Sequence, residues 1–376
     1  MPQDATGLEH VTPVKIKSTS ATERGGFRKC RRSWFLQVVH RLDAQEGNVN
    51  FFLGTIYHAG LEAYYRAIME HQEHDAQCKP KKPCKHVYRD PGEAALDAYE
   101  VAFTAYMERL KANLGLVWAF AEVGYREAGE LGLEMLQNYI EREANAPLLD
   151  EVVAVEFRVN VAIRNPVSGR KSGVLSVQAD AVGFKDGELC VVDHKTAARE
   201  MSSAHLDLDD QLTAEVFAWW QATGDFPERA IYNVSMKKHA GPPALLKSGK
   251  ALSKDKNQGT TYALYRRAID DNGFNVADYA DILTTLRERE ERGEDPLFRR
   301  ESVFRTPGQM AAFERDLFHE FQDMKRVALH PEMAYPNPTS INCGSCPVRT
   351  ICTTIQDNGD VAAIIQAGFV IADPRR

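Results

Sequence analysis

Residues 173–197 read GVLSVQADAVGFKDGELCVVDHKTA, two apolar runs joined by Asp186-Gly187. An Asp-Gly pair between such runs is a strong signal for a two-residue hairpin, because both residues tolerate the positive φ that the turn requires. With those two residues in the turn, Lys185 faces Glu188 and the register runs back from there. Phe184 then faces Leu189, Val182 faces Val191, and Asp180 lands opposite Asp193. Side chains alternate along a strand, so Lys195 shares a face with Asp193. Directly opposed residues have Cβ atoms about 4.5–5.5 Å apart, and like charges there repel.

Two carboxylates and an ammonium thus converge within otherwise apolar strands. A divalent cation between Asp180 and Asp193 turns the repulsion into binding, and oxygen ligands of this kind suit Mg²⁺ or Mn²⁺. Such an ion polarises a phosphate and acidifies a water, while Lys195 orients that water or stabilises charge growing on phosphoryl oxygens. The plainer alternative is a slipped turn, or Asp and Lys residues that simply pair at a sheet edge.

Outward from the hairpin, Val152–Ile163 alternates as a preceding strand and Ala230–Met236 reads as a following one. A helix is expected at about 208–221 between them. This order suggests an α/β core with a mixed sheet. Upstream, helices are expected at about 51–69, 93–114 and 119–143, with a Lys/Pro/Cys/His-rich loop at 71–91. Downstream, 237–259 reads as a long polar loop, followed by helical patterns at 276–292 and 306–328. The chain divides into an N-terminal segment (1–50), a helical region with the insertion (51–150), the core (151–236), a loop and helical region (237–330), and a cysteine-bearing end (331–376). No Walker-type phosphate loop occurs, so a built-in ATP motor is not expected.

The formal net charge is −7, with 44% hydrophobic residues. An acidic total excludes a basic nucleic-acid-coating protein but not local phosphate contacts. Basic runs occur at Arg28, Lys29, Arg31 and Arg32, and at Lys79, Lys81, Lys82 and Lys85. A looser set comprises Lys237, Lys238, Lys247, Lys250, Lys254 and Lys256. Each also reads as a solvated surface run. No apolar stretch approaches the ~20 residues of a membrane helix, and Met1-Pro2-Gln3-Asp4 lacks a secretory pattern. A cytoplasmic location is expected, in a host cell if the gene is viral.

Seven cysteines in a reducing compartment point away from structural disulfides. Cys343-Gly-Ser-Cys346 and Cys352 make three clustered thiols, and a fourth ligand must come from elsewhere; Cys30, flanked by aromatic and basic residues, is the best donor. Zinc is one candidate for such a set. Cys78 and Cys84, with His74 and His86 nearby, offer a second, irregularly spaced grouping that can be read as a zinc site. Cys190, inside a strand, reads as a small core residue.

Gln178-Ala-Asp180 followed by Val192-Asp193-His-Lys195-Thr196 resembles motifs two and three of the PD-(D/E)xK nucleases, in the RecB-like branch. That resemblance implies a restriction-endonuclease-like core whose central mixed sheet is flanked by helices, with helical insertions. The branch carries a Gly-x-x-x-His pattern on an early helix, matched by Gly54-Thr-Ile-Tyr-His58, so His58 is implied as a third metal ligand. Its Gln-x-x-x-Tyr motif is matched at Gln211, but Glu215 stands where tyrosine is expected. Glu156 either contributes to the site or faces solvent.

One N-terminal cysteine plus Cys-x-x-Cys-x₅-Cys resembles the iron–sulfur nucleases, including AddB-type helicase-nucleases and CRISPR-associated RecB-like exonucleases. This implies a 4Fe-4S cluster held by Cys30, Cys343, Cys346 and Cys352, joining the termini. Closing so long a loop restricts the unfolded chain by roughly 5 kcal/mol. The family implies a DNA substrate, entered from a single-stranded end, and a helicase or recombination protein as partner. Arg31, Arg32, Trp34 and the lysines of 237–256 are candidates to guide the strand. The rival reading is a catalytically silent DNA-binding or assembly subunit that keeps the fold.

Overall fold

The computed structural model describes residues 14–45, 48–77, 88–199, 203–239, 241–256, 258–292 and 296–372. Near the N-terminus lie β1 (Ser18–Thr19), α1 (Ala21–Lys29), α2 (Arg31–Trp34) and β2 (Leu42–Ala44), followed by the long helices α3 (Val49–Gln77), α4 (Pro91–Leu114) and α5 (Trp118–Asn145). The central stretch is β3 (Glu151–Arg164), β4 (Lys171–Lys185), β5 (Glu188–Ala197), α6 (Asp210–Thr223) and β6 (Arg229–Met236). Then come α7 (Tyr262–Asp271), α8 (Ala280–Glu291), β7 (Phe298–Phe304) and α9 (Pro307–Leu329). The C-terminal part carries α10 (Ser340–Gly344), α11 (Arg349–Gln356), α12 (Val361–Gly368) and β8 (Phe369–Ile371).

The hairpin forms in the expected register, with Lys185 paired to Glu188, Phe184 to Leu189 and Val182 to Val191. Asp186 (φ 54°) and Gly187 (φ 80°) both take the left-handed conformation that this turn needs. Asp150 fixes the turn from outside, accepting from the Asp186 amide at 2.7 Å and from Lys185 Nζ at 2.8 Å.

The resulting sheet is mixed. β4 pairs antiparallel with β3 and β5, β5 pairs parallel with β6, and β7 closes the far side antiparallel to β6. The parallel β5–β6 pair requires a crossover, which α6 supplies. β1 runs parallel to β4 at Val174 and Leu175. Those residues also pair with β3, so β1 occupies the same edge of β4 as β5, further along it.

Helices cover both faces. Phe52, Ile56, Tyr57 and Leu61 of α3, with Leu136 and Tyr139 of α5, pack on Ala181, Val192 and Ile231. On the other face Leu212, Val216 and Phe217 of α6, and Phe313, Leu317 and Phe321 of α9, pack on Leu175, Val177, Val182 and Val191. Burying each such side chain is worth about 1.5–3 kcal/mol, so these two layers dominate the stability. Residues 252–286 form a small satellite core around Tyr265, Ile269, Ile282 and Leu286. The segments near the two termini meet directly, because β2 pairs antiparallel with β8.

Several elements depart from expectation. Helix α3 continues through 71–77, which was expected to be loop; that stretch contains neither Gly nor Pro to stop it. Strand β7 is absent from the sequence reading because its charged residues Arg299, Arg300 and Glu301 break the apolar alternation. The sheet therefore draws β1 and β7 from outside 151–236. Helices α1 and α7 were also missed, although their signals are present. Ser20 and Glu23 form a reciprocal capping box on α1, and Tyr262, Tyr265 and Ile269 keep a helical period behind the Thr261 cap. Trp34, expected as a strand-guiding aromatic, is 1% exposed and packs edge-on against Phe27, so it is core. Cys190 is buried as expected. Cys78, Cys84 and His86 lie outside the described residues; His74 Nδ1 lies 2.7 Å from Tyr88 Oη.

Candidate active site

Antiparallel pairing of β4 with β5 ends at Ala181 and Val192. One residue further on the strands part, and Asp180 and Asp193 stand at the fork. Asp180 Oδ2 accepts from the backbone N–H of His194 at 2.7 Å, and His58 Nδ1 of α3 lies 3.6 Å from the same oxygen, an ion-pair distance. Burial pushes the Asp180 carboxyl up, but the neighbouring His58 and His194 outweigh it and hold the group at about 2.

Asp193 is nearly fully buried. Its Oδ1 accepts from Lys195 Nζ at 2.8 Å and from Gln211 Nε2 at 2.6 Å. Its Oδ2 is buried with no hydrogen-bond partner among the described residues. Burial pushes this carboxyl up to about 6, against the pull of Lys195 and with the push of Asp180. Lys195 Nζ also donates to Gln211 Oε1 at 3.1 Å. Burial alone lowers the Lys195 ammonium, yet Asp193 more than compensates and the group stays charged.

Gln211 sits at the start of α6, where Asp209 caps the helix. Its amide nitrogen also donates to Glu215 Oε1, one turn on, at 3.1 Å. Glu215 is buried, and its Oε2 has no hydrogen-bond partner among the described residues. Burial, then the charges of Asp193 and Asp180, raises this carboxyl well above the usual range.

Glu156 is a third carboxylate facing the fork, which corrects the solvent-facing alternative. It adopts φ 51°, a conformation that costs a non-glycine residue about 1–3 kcal/mol. Its side chain accepts from Gln178 Nε2 and shares a small recess with His58, Glu62, Asp180 and His194. Burial, Asp180 and Glu62 push it up to about 7. A positive-φ glutamate leaves no mark in sequence, so no local signal identifies it.

His194 lies on the face of β5 opposite its neighbours Asp193 and Lys195, at the wall of that recess. It stacks on Tyr65 at 5.4 Å between ring centroids, and its Nδ1 lies 2.9 Å from Asn233 Nδ2. Burial pushes it down to about 3, so it is neutral. Tyr65, Tyr139 and Asn233 brace it, with Tyr65 Oη and Tyr139 Oη 2.6 Å apart and Glu143 accepting from Arg300 behind them.

Cys30 links α1 to α2 and faces the loop before α10. The Asn337 amide donates to Cys30 Sγ at 3.4 Å, and Ser33 Oγ lies 3.5 Å from Cys346 Sγ. Asn337 and Asn342 side chains both donate to the Lys29 carbonyl, at 3.0 and 3.1 Å. Burial raises the Cys352 thiol against the pull of Arg32, and Cys30, Cys346 and Cys343 push it further. Cys30, Cys343, Cys346 and Cys352 form no disulfide, and the other three lie near enough to Cys352 to act on it.

Among the described residues, no three His, Cys, Asp or Glu side chains close into a ready metal-ligand group. The chemistry of both donor sets nevertheless fits a cation. The buried Oδ2 of Asp193, near Asp180 and unpaired among the described residues, lacks a partner that a divalent ion would provide. Cys30, Cys346 and Cys343 raise the Cys352 thiol because neighbouring thiolates repel, a repulsion that a shared cation would relieve. No helix of the described residues is long and apolar enough to cross a membrane.

A family model for the PD-(D/E)XK nuclease superfamily matches residues 18–353. The chain belongs to that superfamily, which implies a metal-dependent nuclease. No curated protein sequence matches it.

Proposed function

We propose that this protein is a DNA exonuclease that hydrolyses phosphodiesters from single-stranded ends, with Asp180, Asp193 and His58 as metal ligands and Lys195 as the catalytic ammonium. The observation that carries this reading is Asp193, whose one oxygen is saturated by Lys195 and Gln211 while the other is buried and unpaired. When bound, Mg²⁺ or Mn²⁺ supplies Lewis-acid polarisation of the scissile phosphate. Lys195, held by Asp193 and Gln211, presents its charge where negative charge grows on the phosphoryl oxygens. Gln211 orients that ammonium through its carbonyl oxygen, and Glu156 is a further carboxylate within reach of the site. Cys30, Cys343, Cys346 and Cys352 would hold a 4Fe-4S cluster as a structural staple, with zinc the competing metal. The sequence carries no motor motif, which favours a helicase or recombination protein as partner.

The rival is a silent DNA-binding or assembly subunit. The intact Asp180/Asp193/Lys195 set favours the enzyme, since a binding module has no use for a buried aspartate with one bare oxygen. The test is cleavage of end-labelled single-stranded and duplex DNA by anaerobically purified protein with Mg²⁺ or Mn²⁺, beside Asp180→Ala and Lys195→Ala. Activity lost in both variants supports the nuclease, and the order of products gives its polarity. Binding without cutting by the intact protein would move the assignment to the subunit.

A further inference from the structure

The open edge of β4 borders a groove that neither the metal ligands nor the cysteines use. Along this edge no described strand pairs with β4 between the end of β1 at Leu175 and the departure of β5 at Ala181. The groove has a volume of about 830 Å³ and lies between the β1–α1 junction and the β3–β4 ribbon. Gln178, Gln211 and Glu215 line its inner end, so it opens directly onto the Asp193 site.

Its floor is polar. The cross-strand pairs Arg158–Gln178 and Asn160–Ser176 run along it, and Ser176 Oγ donates to Asn160 Oδ1 at 2.8 Å. Its cations are Lys17, Arg158 and Lys171, all exposed. Neither Lys17 nor Lys171 forms an ion pair among the described residues, and Arg158 reaches Glu156 only at 4.0 Å. Of the two acids, Glu23 is engaged with Ser20 in the α1 capping box and Glu215 with Gln211. Among the described residues, no aromatic side chain lines it.

We infer that this groove carries the sugar–phosphate backbone of one nucleic-acid strand to the Asp180/Asp193 site, through Lys17, Arg158 and Lys171. The inference rests on the nuclease reading and gives its substrate a path. Cations with hydroxyl and amide groups match phosphate and sugar, and contacts to those groups carry no information about base sequence. A recess of this volume is in the range, roughly 300–1,000 Å³, that encloses one small ligand, so it takes a nucleotide or two of one strand and not a duplex. The lysines of 237–256, expected from sequence to guide the strand, do not line it; Lys237 instead donates to Asn50 Oδ1 at 3.0 Å.

The test is fluorescence anisotropy in EDTA, so that binding is read apart from cleavage. The probes are fluorescein-labelled oligothymidylate and the same strand annealed to oligodeoxyadenylate, titrated across a salt series. The proteins are wild type, the triple variant Lys17→Gln/Arg158→Gln/Lys171→Gln, and the control Lys247→Gln/Lys250→Gln/Lys256→Gln. Each phosphate contact on a single strand contributes about 0.7 to the slope of log K against log salt, so the groove variant loses about 2 from that slope while the control keeps it. Duplex binding changes by a smaller factor than single-strand binding. A groove variant with wild-type slope, or equal losses on strand and duplex, overturns the inference. Cleavage with Mg²⁺ or Mn²⁺ is scored separately. Wild-type protein that cuts while the groove variant binds normally sinks the groove alone; protein that cuts nothing while the groove variant binds weakly sinks the nuclease reading alone.

Discussion

The backbone N–H of His194 donates to Asp180 Oδ2 at 2.7 Å, one residue beyond the last ladder pair of β4 and β5. This bond replaces the next rung of the sheet and holds the carboxylate at the fork. It gives Asp180→Asn a diagnostic value, because the asparagine carbonyl can still accept from His194 while the charge is gone. Cleavage in Asp180→Asn and in Lys195→Ala should fall by about 10²–10³-fold. The thermal midpoint of Asp180→Asn should stay near that of the wild type. A large drop in that midpoint would mean that the charge serves folding instead.

Gln211 is oriented by two acceptors, Asp193 Oδ1 and Glu215 Oε1, which leaves its carbonyl for Lys195. Glu215→Leu removes one of them and should lower kcat by about tenfold, the worth of one hydrogen bond of about 1–1.5 kcal/mol. It also removes a buried carboxyl with an unpaired oxygen, so stability should hold or rise. Kinetics paired with urea denaturation reads both, and a fall in stability without a change in kcat would refute the positioning role.

A Cβ at Gly183 would overlap the Glu151 carbonyl oxygen, where β3 begins beside the hairpin. Gly183→Ala should therefore cost about 1–3 kcal/mol in denaturant titration. Wild-type stability would show that β3 shifts freely there.

Arg24 is fully buried between Asp210 and Glu320, tying α1 to α6 and α9. Arg28 also pairs with both acids, so Arg24→Ala leaves them one half-exposed cation, and the buried-pair loss of about 3–5 kcal/mol is the upper bound on the destabilisation. Thermal unfolding checks this, and a loss below 1 kcal/mol would place the ion pair among the weak surface kind.

Cys30→Ser should abolish iron and visible absorbance in anaerobically purified protein, whereas Cys190→Ser, buried in β5, should keep both. The chain-entropy model bounds the accompanying stability loss at roughly 5 kcal/mol. Zinc without iron in the wild type would replace the cluster with a zinc clamp, and neither metal would remove it.

What the sequence determined is what short-range chemistry controls. Asp186-Gly187 demanded positive φ at two neighbouring positions, and that alone set the β4–β5 register and brought Asp180 level with Asp193. Periodic apolar residues likewise placed α4, α5, α6 and α9 within a few residues. Tertiary structure decided what depends on partners far along the chain. Trp34 turned inward because Phe27 and the α9 core surround it, and Glu156 turned to the fork through a backbone conformation that no residue type announces. Glu215, legible only as a departure from a motif, became a buried partner of Gln211 once α6 packed against the sheet. Strand β7 exists because β6 offers it an edge, a long-range pairing that its own charged sequence does not encode.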